Sequence, residues 1–148
     1  MVDIELRIGQ WPEGLGQIRS AVQAVSEQRR LGDEVREALV LALEEVVANV
    51  FDHGASDEVS LRIVCDNREI AAEVVDSGPA FDPLAVADPD TDTGVDERPL
   101  GGLGVFLVKK LMDRVHYRRS ERHNHVYLTK CLAPGKAQEE AQERQRRR

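Results

Sequence analysis

The chain has 148 residues, 41% of them hydrophobic, which predicts one globular domain that can bury a core. Its formal net charge of −7 argues against nucleic-acid binding, because phosphates require a basic surface. No apolar run approaches the ~18 residues that span a bilayer, and no basic region precedes an apolar stretch at the N-terminus. We therefore expect no membrane segment, no secretory signal and a cytoplasmic protein.

The N-terminal half of the chain predicts one strand and two helices. Val2–Ile8 alternates apolar and polar residues, as half-buried strands do, and residues 11–14 mark a turn. Apolar residues at helical spacing then cover 15–31. A second helix is expected over 33–51, with a capping residue at its start and Gly54 just past its end.

The middle of the chain predicts a hairpin followed by a long irregular segment. Residues 58–65 and Glu69–Asp76 both alternate apolar and polar residues and are separated by a short polar turn. From residue 77 to 100 the pattern dissolves, and four of the six prolines lie there. Long loops of this kind are often functional lids, so we expect a lid at about 79–101.

A third helix and a second strand pair complete the predicted fold. The helix covers 102–113, and the strands cover 115–120 and 126–132. Hairpins dominate this order, which predicts an α+β two-layer sandwich with a mixed, mostly antiparallel sheet and helices on one face. We expect the folded domain to span 1–133 and a charged, flexible tail to span 134–148.

The spacing of cysteine and histidine does not indicate a metal site built from these residues. Cys65 and Cys131 lie far apart in apolar, strand-like runs, so we expect two buried, reduced thiols. His116, His123 and His125 lack metal-binding spacing and are expected to be strand or turn residues.

The segment 43–54 is the most informative part of the sequence. Glu45 and Asn49 are i and i+4, so they lie one above the other on the predicted helix. Such a carboxylate can accept a proton, while the amide oxygen can hold a hard cation such as magnesium. A solvated helix face is the alternative, but an Asn within so apolar a helix calls for a partner. Glu44, the rival base, points away from the amide's face.

Two glycine-containing segments downstream extend this pattern. Asp76 ends a strand, where it could accept a hydrogen bond from an adenine amino group and reject guanine, and Gly78 lets the base approach. A plain turn is the alternative. Gly102, Leu103 and Gly104 lead into the third helix, where backbone N–H groups attract phosphate. Alone this is a weak signal, because the spacing matches neither the phosphate-loop nor the dinucleotide-fold motif.

Together, the E-x-x-x-N helix, the D-x-G strand end and the G-x-G helix start resemble the Bergerat-fold, or histidine-kinase-like, ATPase superfamily. Within it the chain looks most like the anti-sigma factor serine/threonine-protein kinases of bacterial partner switching, over roughly residues 1–133. The resemblance implies ATP and Mg²⁺ as cofactors and an anti-anti-sigma antagonist as the phosphorylated partner. It also implies inhibition of a sigma factor and a possible homodimer. A non-catalytic, ATP-gated module that binds another partner is the alternative.

The resemblance implies a role for each motif. The acid matching Glu45 would be the general base, and the amide matching Asn49 would hold the magnesium that bridges the triphosphate. Asp76 would read adenine, and Gly78 would shape its pocket. Backbone amides of the glycine segment 102–104 would meet the phosphates.

Three further residues receive roles from the resemblance, each with an ordinary alternative. Arg98 would contact phosphate, or it is a solvated lid residue. His53 would line the nucleotide pocket, or it packs near the helix end. Arg19 would contact the partner or the terminal phosphate, or it is a surface charge. Related proteins often begin the last strand pair with Gly-Thr, whose hydroxyl helps set the adenine site, but residues 123–126 here are His-Asn-His-Val.

Overall fold

The computed structural model describes residues 1–53, 57–85, 100–132 and 145–147. Among the helices of these ranges, none combines the length and apolarity that a bilayer crossing requires. The elements in chain order are β1 Val2–Ile8, α1 Gly14–Arg29, α2 Asp33–His53, β2 Val59–Cys65, β3 Glu69–Asp76, a 3-10 turn Pro83–Ala85, α3 Leu100–Leu111, β4 Arg114–Ser120 and β5 His123–Cys131.

The strands form one sheet in the order β1-β2-β3-β5-β4, and every neighbouring pair is antiparallel. Strands β2 and β3 bury alternate residues, because the helices pack on one face of the sheet. The predicted α+β two-layer sandwich is therefore confirmed. Since β5 lies between β3 and β4, the start of β5 comes beside the end of β3.

The core lies between the helices and the sheet, and aliphatic side chains fill most of it. Helices α1 and α2 contribute Ile18, Val22, Leu39 and Leu43, none of which has exposed area. Burying each such side chain contributes roughly 1.5–3 kcal/mol, so these contacts fix how α2 lies on the sheet. Large side chains buried from the strands are Ile8, Leu61, Ile63, Ile70 and Leu128.

All the predicted elements except β1 and β3 differ in their bounds by one to three residues, and two of these differences lie near the glycine segment and the end of β3. Helix α3 begins at Leu100 rather than 102 and ends at Leu111. Strand β5 begins at His123 rather than 126, because its pairing with β3 continues to the Asn124–Asp76 pair. The first three residues of β5 are polar, so the alternation of apolar and polar side chains does not reveal them as part of the strand.

The two cysteines have different environments. Cys65 is buried at the end of β2, and this burial raises the pKa of its thiol. Cys131 is exposed at the end of β5, so the prediction of two buried thiols is wrong for Cys131. The alternation of side chains along β5 turns Cys131 away from the helices, to the open face of the sheet.

Several predictions fall outside the described residues. They concern Gly54, Arg98, the greater part of the lid predicted at 79–101, and residues 134–144 and 148 of the predicted tail. For residues 100–103, only the helical backbone is described. The division into a folded domain and a charged tail therefore stays a prediction.

Ser26 is a buried side chain of α1 whose hydroxyl has no hydrogen-bond partner among the described residues. Because an unsatisfied buried hydroxyl costs about 1–3 kcal/mol, we expect Ser26→Ala to raise the free energy of unfolding by about 1 kcal/mol. Urea denaturation measures this change. Ser20→Ala is the control, since Ser20 is exposed on the same helix. A gain for Ser26→Ala no larger than that of the control would contradict the prediction.

Candidate active site

A pocket opens between helix α2 and the ends of strands β3 and β5. Its volume is about 370 Å³, a figure that includes space open to solvent. An apolar cleft with a few polar groups is the usual environment for an aromatic ligand. The polar lining residues are Asn49, His53, Asp76 and Asn124. The apolar lining residues are Val46, Val50, Pro79, Phe81, Pro83 and Val126.

The carboxylate of Asp76 is held in place by two hydrogen bonds. Its Oδ1 accepts from the backbone N–H of Gly78 at 2.9 Å and from Nδ2 of Asn124 at 3.0 Å. Its Oδ2 accepts no hydrogen bond from the described residues, although Asp76 is only 8% exposed and lines the pocket. This oxygen is therefore available to a ligand's amino group.

Asn49 is half-buried, and its side chain has no hydrogen-bond partner among the described residues. Its carboxamide oxygen is therefore free to bind a cation. No cluster of three or more His, Cys, Asp or Glu in the described ranges could enclose a metal ion. This donor set fits magnesium, which takes one or two protein oxygens and keeps phosphate and water as its other ligands.

Glu45 lies one helical turn before Asn49 and packs against α3. A Cβ built at Gly104 would overlap Oε2 of Glu45 and lie 3.0 Å from its Cδ, so glycine leaves room for the carboxylate. Glu45 is half-buried and makes no ion pair or hydrogen bond with the described residues. The acid of the first motif thus touches the glycine of the third.

The residue at which α3 begins determines which glycine N–H groups are free to bind an anion. Because the helix begins at Leu100, helix geometry directs the N–H of Gly104 to a carbonyl within the helix. Within the described helix, the N–H groups that this geometry leaves free are those of residues 100–102. The phosphate contacts of 102–104 stay a prediction, and the helix start favours Gly102 for them.

Glu44 is turned toward α1 and not toward the pocket. Its Oε1 accepts hydrogen bonds from Nε and Nη2 of Arg19, at 3.1 and 3.0 Å. The Glu44 side chain is 19% exposed and that of Arg19 is 65% exposed. The Glu44 carboxylate is thus engaged by a guanidinium, whereas the Glu45 carboxylate has no hydrogen-bond partner among the described residues.

The comparisons with known proteins agree with this geometry. The histidine kinase-like ATPase domain matches residues 10–130. The serine-protein kinases RsbW of Bacillus pumilus and Bacillus subtilis are each 30% identical to the chain, covering 87% of it and 85% of their own length. The chain belongs to the anti-sigma factor kinase family of histidine kinase-like ATPases. The serine/threonine-protein kinase BtrW of Bordetella bronchiseptica is 30% identical over 63% of the chain and 66% of its own length.

A solved structure supports the fold of this family member. The RsbU and RsbW domains of a Mycobacterium tuberculosis protein superpose with a TM-score of 0.64 at 13% identity. The superposition covers 91% of the chain and 33% of that protein. At this identity the likeness shows the fold alone. The kinase names of the curated relatives confirm the predicted family and the predicted enzyme class.

His53 is the last residue of α2 and lies beside the pocket. It lines the pocket, and its ring stacks on that of Phe81 with centroids 5.2 Å apart. The imidazole is therefore packed against a neighbour and also lines the pocket. Phe81 follows the D-x-G turn, so the stack joins the end of α2 to the first residues of the predicted lid.

Sequence reasoning missed the residues that hold the D-x-G turn. Asn124 bonds Asp76, Tyr117 bonds Asn124 at 2.6 Å, and Arg119 donates to the carbonyl of Gly78 at 2.8 Å. One signal was available for Asn124. It lies two residues before Val126 in β5, so strand alternation puts it on the buried face.

Gly104→Ala tests the contact between α2 and α3 in this kinase. The added methyl group would meet the end of a flexible Glu45 side chain, so we expect the carboxylate to shift while the fold persists. Phosphoryl transfer should fall about tenfold or more, because the carboxylate that is predicted to act as general base would be displaced. Transfer rate and thermal unfolding are measured together. Gly16→Ala is the control, since a Cβ at Gly16 meets no atom within 4 Å; equal rates in the two variants would contradict the prediction.

Proposed function

We propose that the chain is an ATP- and magnesium-dependent serine/threonine-protein kinase and anti-sigma factor that phosphorylates an anti-anti-sigma antagonist. The observation that carries this proposal is the free Glu45 carboxylate against Gly104, one helical turn from Asn49. Family membership supports the use of ATP. The names of the RsbW and BtrW relatives support protein serine as the acceptor.

The nucleotide would bind in the pocket that Asn49, His53 and Asp76 line. Oδ2 of Asp76 would accept from the amino group of adenine, since Oδ1 is already engaged. Asn49 would hold magnesium through its amide oxygen, and bound magnesium supplies the charge neutralisation that phosphoryl transfer requires. The backbone amides of residues 100–102 would face the phosphates.

Glu45 would act as general base. The serine or threonine hydroxyl of the antagonist attacks the terminal phosphorus, its proton passes to the Glu45 carboxylate, and ADP leaves. The product carries a phosphate dianion in the partner interface, which weakens the complex and frees the kinase for a sigma factor. Arg19, mostly exposed on α1, is the proposed partner contact.

The proposal includes a cytoplasmic location, because sigma factors act there. It also keeps the folded unit at 1–133 and allows a homodimer. Sedimentation analysis of the chain with and without its antagonist measures the oligomeric state directly.

A pull-down with the chain as bait, with and without ATP and magnesium, tests the proposed function. We expect capture of a small antagonist protein and, with ATP and magnesium, its release with a phosphate on serine or threonine, as detected by mass spectrometry. ATP-dependent capture or release of a partner that never becomes phosphorylated would contradict the kinase proposal and favour the ATP-gated binding module.

A further inference from the structure

The start of strand β5 carries Asn124 in the stretch where related proteins often have Gly-Thr. Its side chain is buried, with the residue 4% exposed. The strand register places it directly opposite Asp76. A buried carboxamide needs partners for both its oxygen and its nitrogen, so these partners reveal what the residue does.

Both ends of the Asn124 carboxamide are fully used. Its Nδ2 donates to Oδ1 of Asp76 at 3.0 Å and to the carbonyl of Pro79 at 2.9 Å. Its Oδ1 accepts from the hydroxyl of Tyr117 at 2.6 Å and from the backbone N–H of Phe81 at 3.3 Å. Because two donors converge on Oδ1, the amide has one satisfactory orientation, in which Nδ2 faces Asp76.

This orientation controls what Asp76 presents to the pocket. With Oδ1 engaged by Asn124 and by the N–H of Gly78, rotation of the carboxylate would break two hydrogen bonds. Oδ2 is thereby left as a fixed acceptor without a donor among the described residues. An acceptor at a fixed point pairs with an exocyclic amine and opposes a carbonyl oxygen at the same place.

The hairpin of β4 and β5 also fixes the turn that follows Asp76. Arg119 donates to the carbonyl of Gly78 at 2.8 Å, and Asn124 bonds the neighbouring carbonyl of Pro79. The N–H of Phe81 bonds the same amide. One side chain, Asn124, thus joins the base-reading carboxylate to the first residues of the predicted lid. A threonine hydroxyl has a single hydrogen to donate, so it could replace only one of the two bonds that Nδ2 of Asn124 donates, to Asp76 and to Pro79.

We infer that Asn124 is a positioning residue that sets the nucleobase selectivity of this site, by fixing Asp76 so that the pocket takes a purine with an amino group, and not a carbonyl, at C6. The inference rests on the proposed function only in that the ligand is a nucleoside triphosphate. It acts through Asp76 and does not require Asn124 to touch the base.

The experiment compares the dissociation constants of ATP and GTP, with magnesium, for the wild type and for variants at this position. Asn124→Asp keeps the shape but replaces both donors with an acceptor facing Asp76. We expect it to weaken ATP binding about tenfold or more and GTP binding much less. The ratio of the GTP dissociation constant to the ATP dissociation constant therefore falls. Asn124→Thr has one donor, unlike Asn124→Asp, and should keep most of the wild-type ratio. Asn67→Asp, the same change in an exposed turn far from the pocket, should leave the ratio unchanged.

A folded Asn124→Asp protein with the wild-type ratio would overturn the inference, and so would equal loss of both nucleotides, which indicates a purely structural role. If Asn124→Asp does not fold, Tyr117→Phe provides the test instead. It removes one of the two donors to Oδ1 and should lower the ratio about threefold, since one hydrogen bond is lost. An unchanged ratio in Tyr117→Phe would then overturn the inference. A wild type that selects ATP but transfers no phosphate contradicts the proposed function alone.

Discussion

Glu45→Gln is expected to lower phosphoryl transfer to the antagonist by about a hundredfold to ten-thousandfold, the usual contribution of a general base. The amide has the same size as the carboxylate and keeps the contact with Gly104, but it cannot accept the proton. ATP affinity should stay close to that of the wild type, because Glu45 does not line the pocket. Single-turnover transfer of labelled phosphate measures the rate, and calorimetry measures ATP binding.

Glu44→Gln is the matched control for this change. It alters the neighbouring acid in the same way, but Glu44 is bound to Arg19 on the side of α1. We expect transfer in Glu44→Gln to remain far above that in Glu45→Gln. The assignment of the base fails if Glu45→Gln transfers phosphate at the wild-type rate, or if Glu44→Gln is the variant that loses transfer.

Asp76→Asn is expected to weaken ATP binding about a hundredfold, through the loss of a charge-assisted hydrogen bond and the mismatch that replaces it. An amide at this position has one oxygen, and it would accept the hydrogen bonds from the N–H of Gly78 and from Nδ2 of Asn124. The amino group would then face the pocket, where it opposes the amine of adenine. The dissociation constant of ATP, measured by calorimetry with magnesium, reports the loss.

Asp66→Asn makes the same chemical change away from the pocket. Asp66 also accepts two backbone hydrogen bonds, from Arg68 at 2.7 Å and Glu69 at 2.9 Å, in the turn between β2 and β3. These bonds hold the pKa of its carboxyl below the usual value, so the change can alter stability but not the nucleotide site. Equal ATP affinity in Asp76→Asn and Asp66→Asn would remove Asp76 from the nucleotide site.

The two substitutions probe different ends of one site. Loss of transfer with intact ATP binding isolates the acid beside Gly104, and loss of ATP binding isolates the acid at the end of β3. Their separation follows from the fold, because α2 carries Glu45 toward α3 while Asp76 lies at the end of β3, the central strand, and lines the pocket beside the same helix. A site that depended on one cluster of groups would lose both functions together.

Local relationships in the sequence were sufficient for much of this description. The i, i+4 spacing of Glu45 and Asn49 placed them on one helix face, and Val2–Ile8 and Glu69–Asp76 have the predicted bounds. Helical and strand periodicities depend on near neighbours, so they survive in the linear order of residues. The three motifs together also indicated the family, and the comparisons confirm it.

The tertiary structure decided what distant residues do to one another. Only the packing of α2 on α3 showed that Gly104 gives room to Glu45, and only the fold placed Arg19 on Glu44. Asn124 and Asp76 are 48 residues apart and meet through strand pairing. The sequence by itself determined the elements, the motif residues and the family, because these follow from local order and residue type. The free acid, the oriented acceptor and the shape of the pocket required the fold, because each depends on which surfaces pack together.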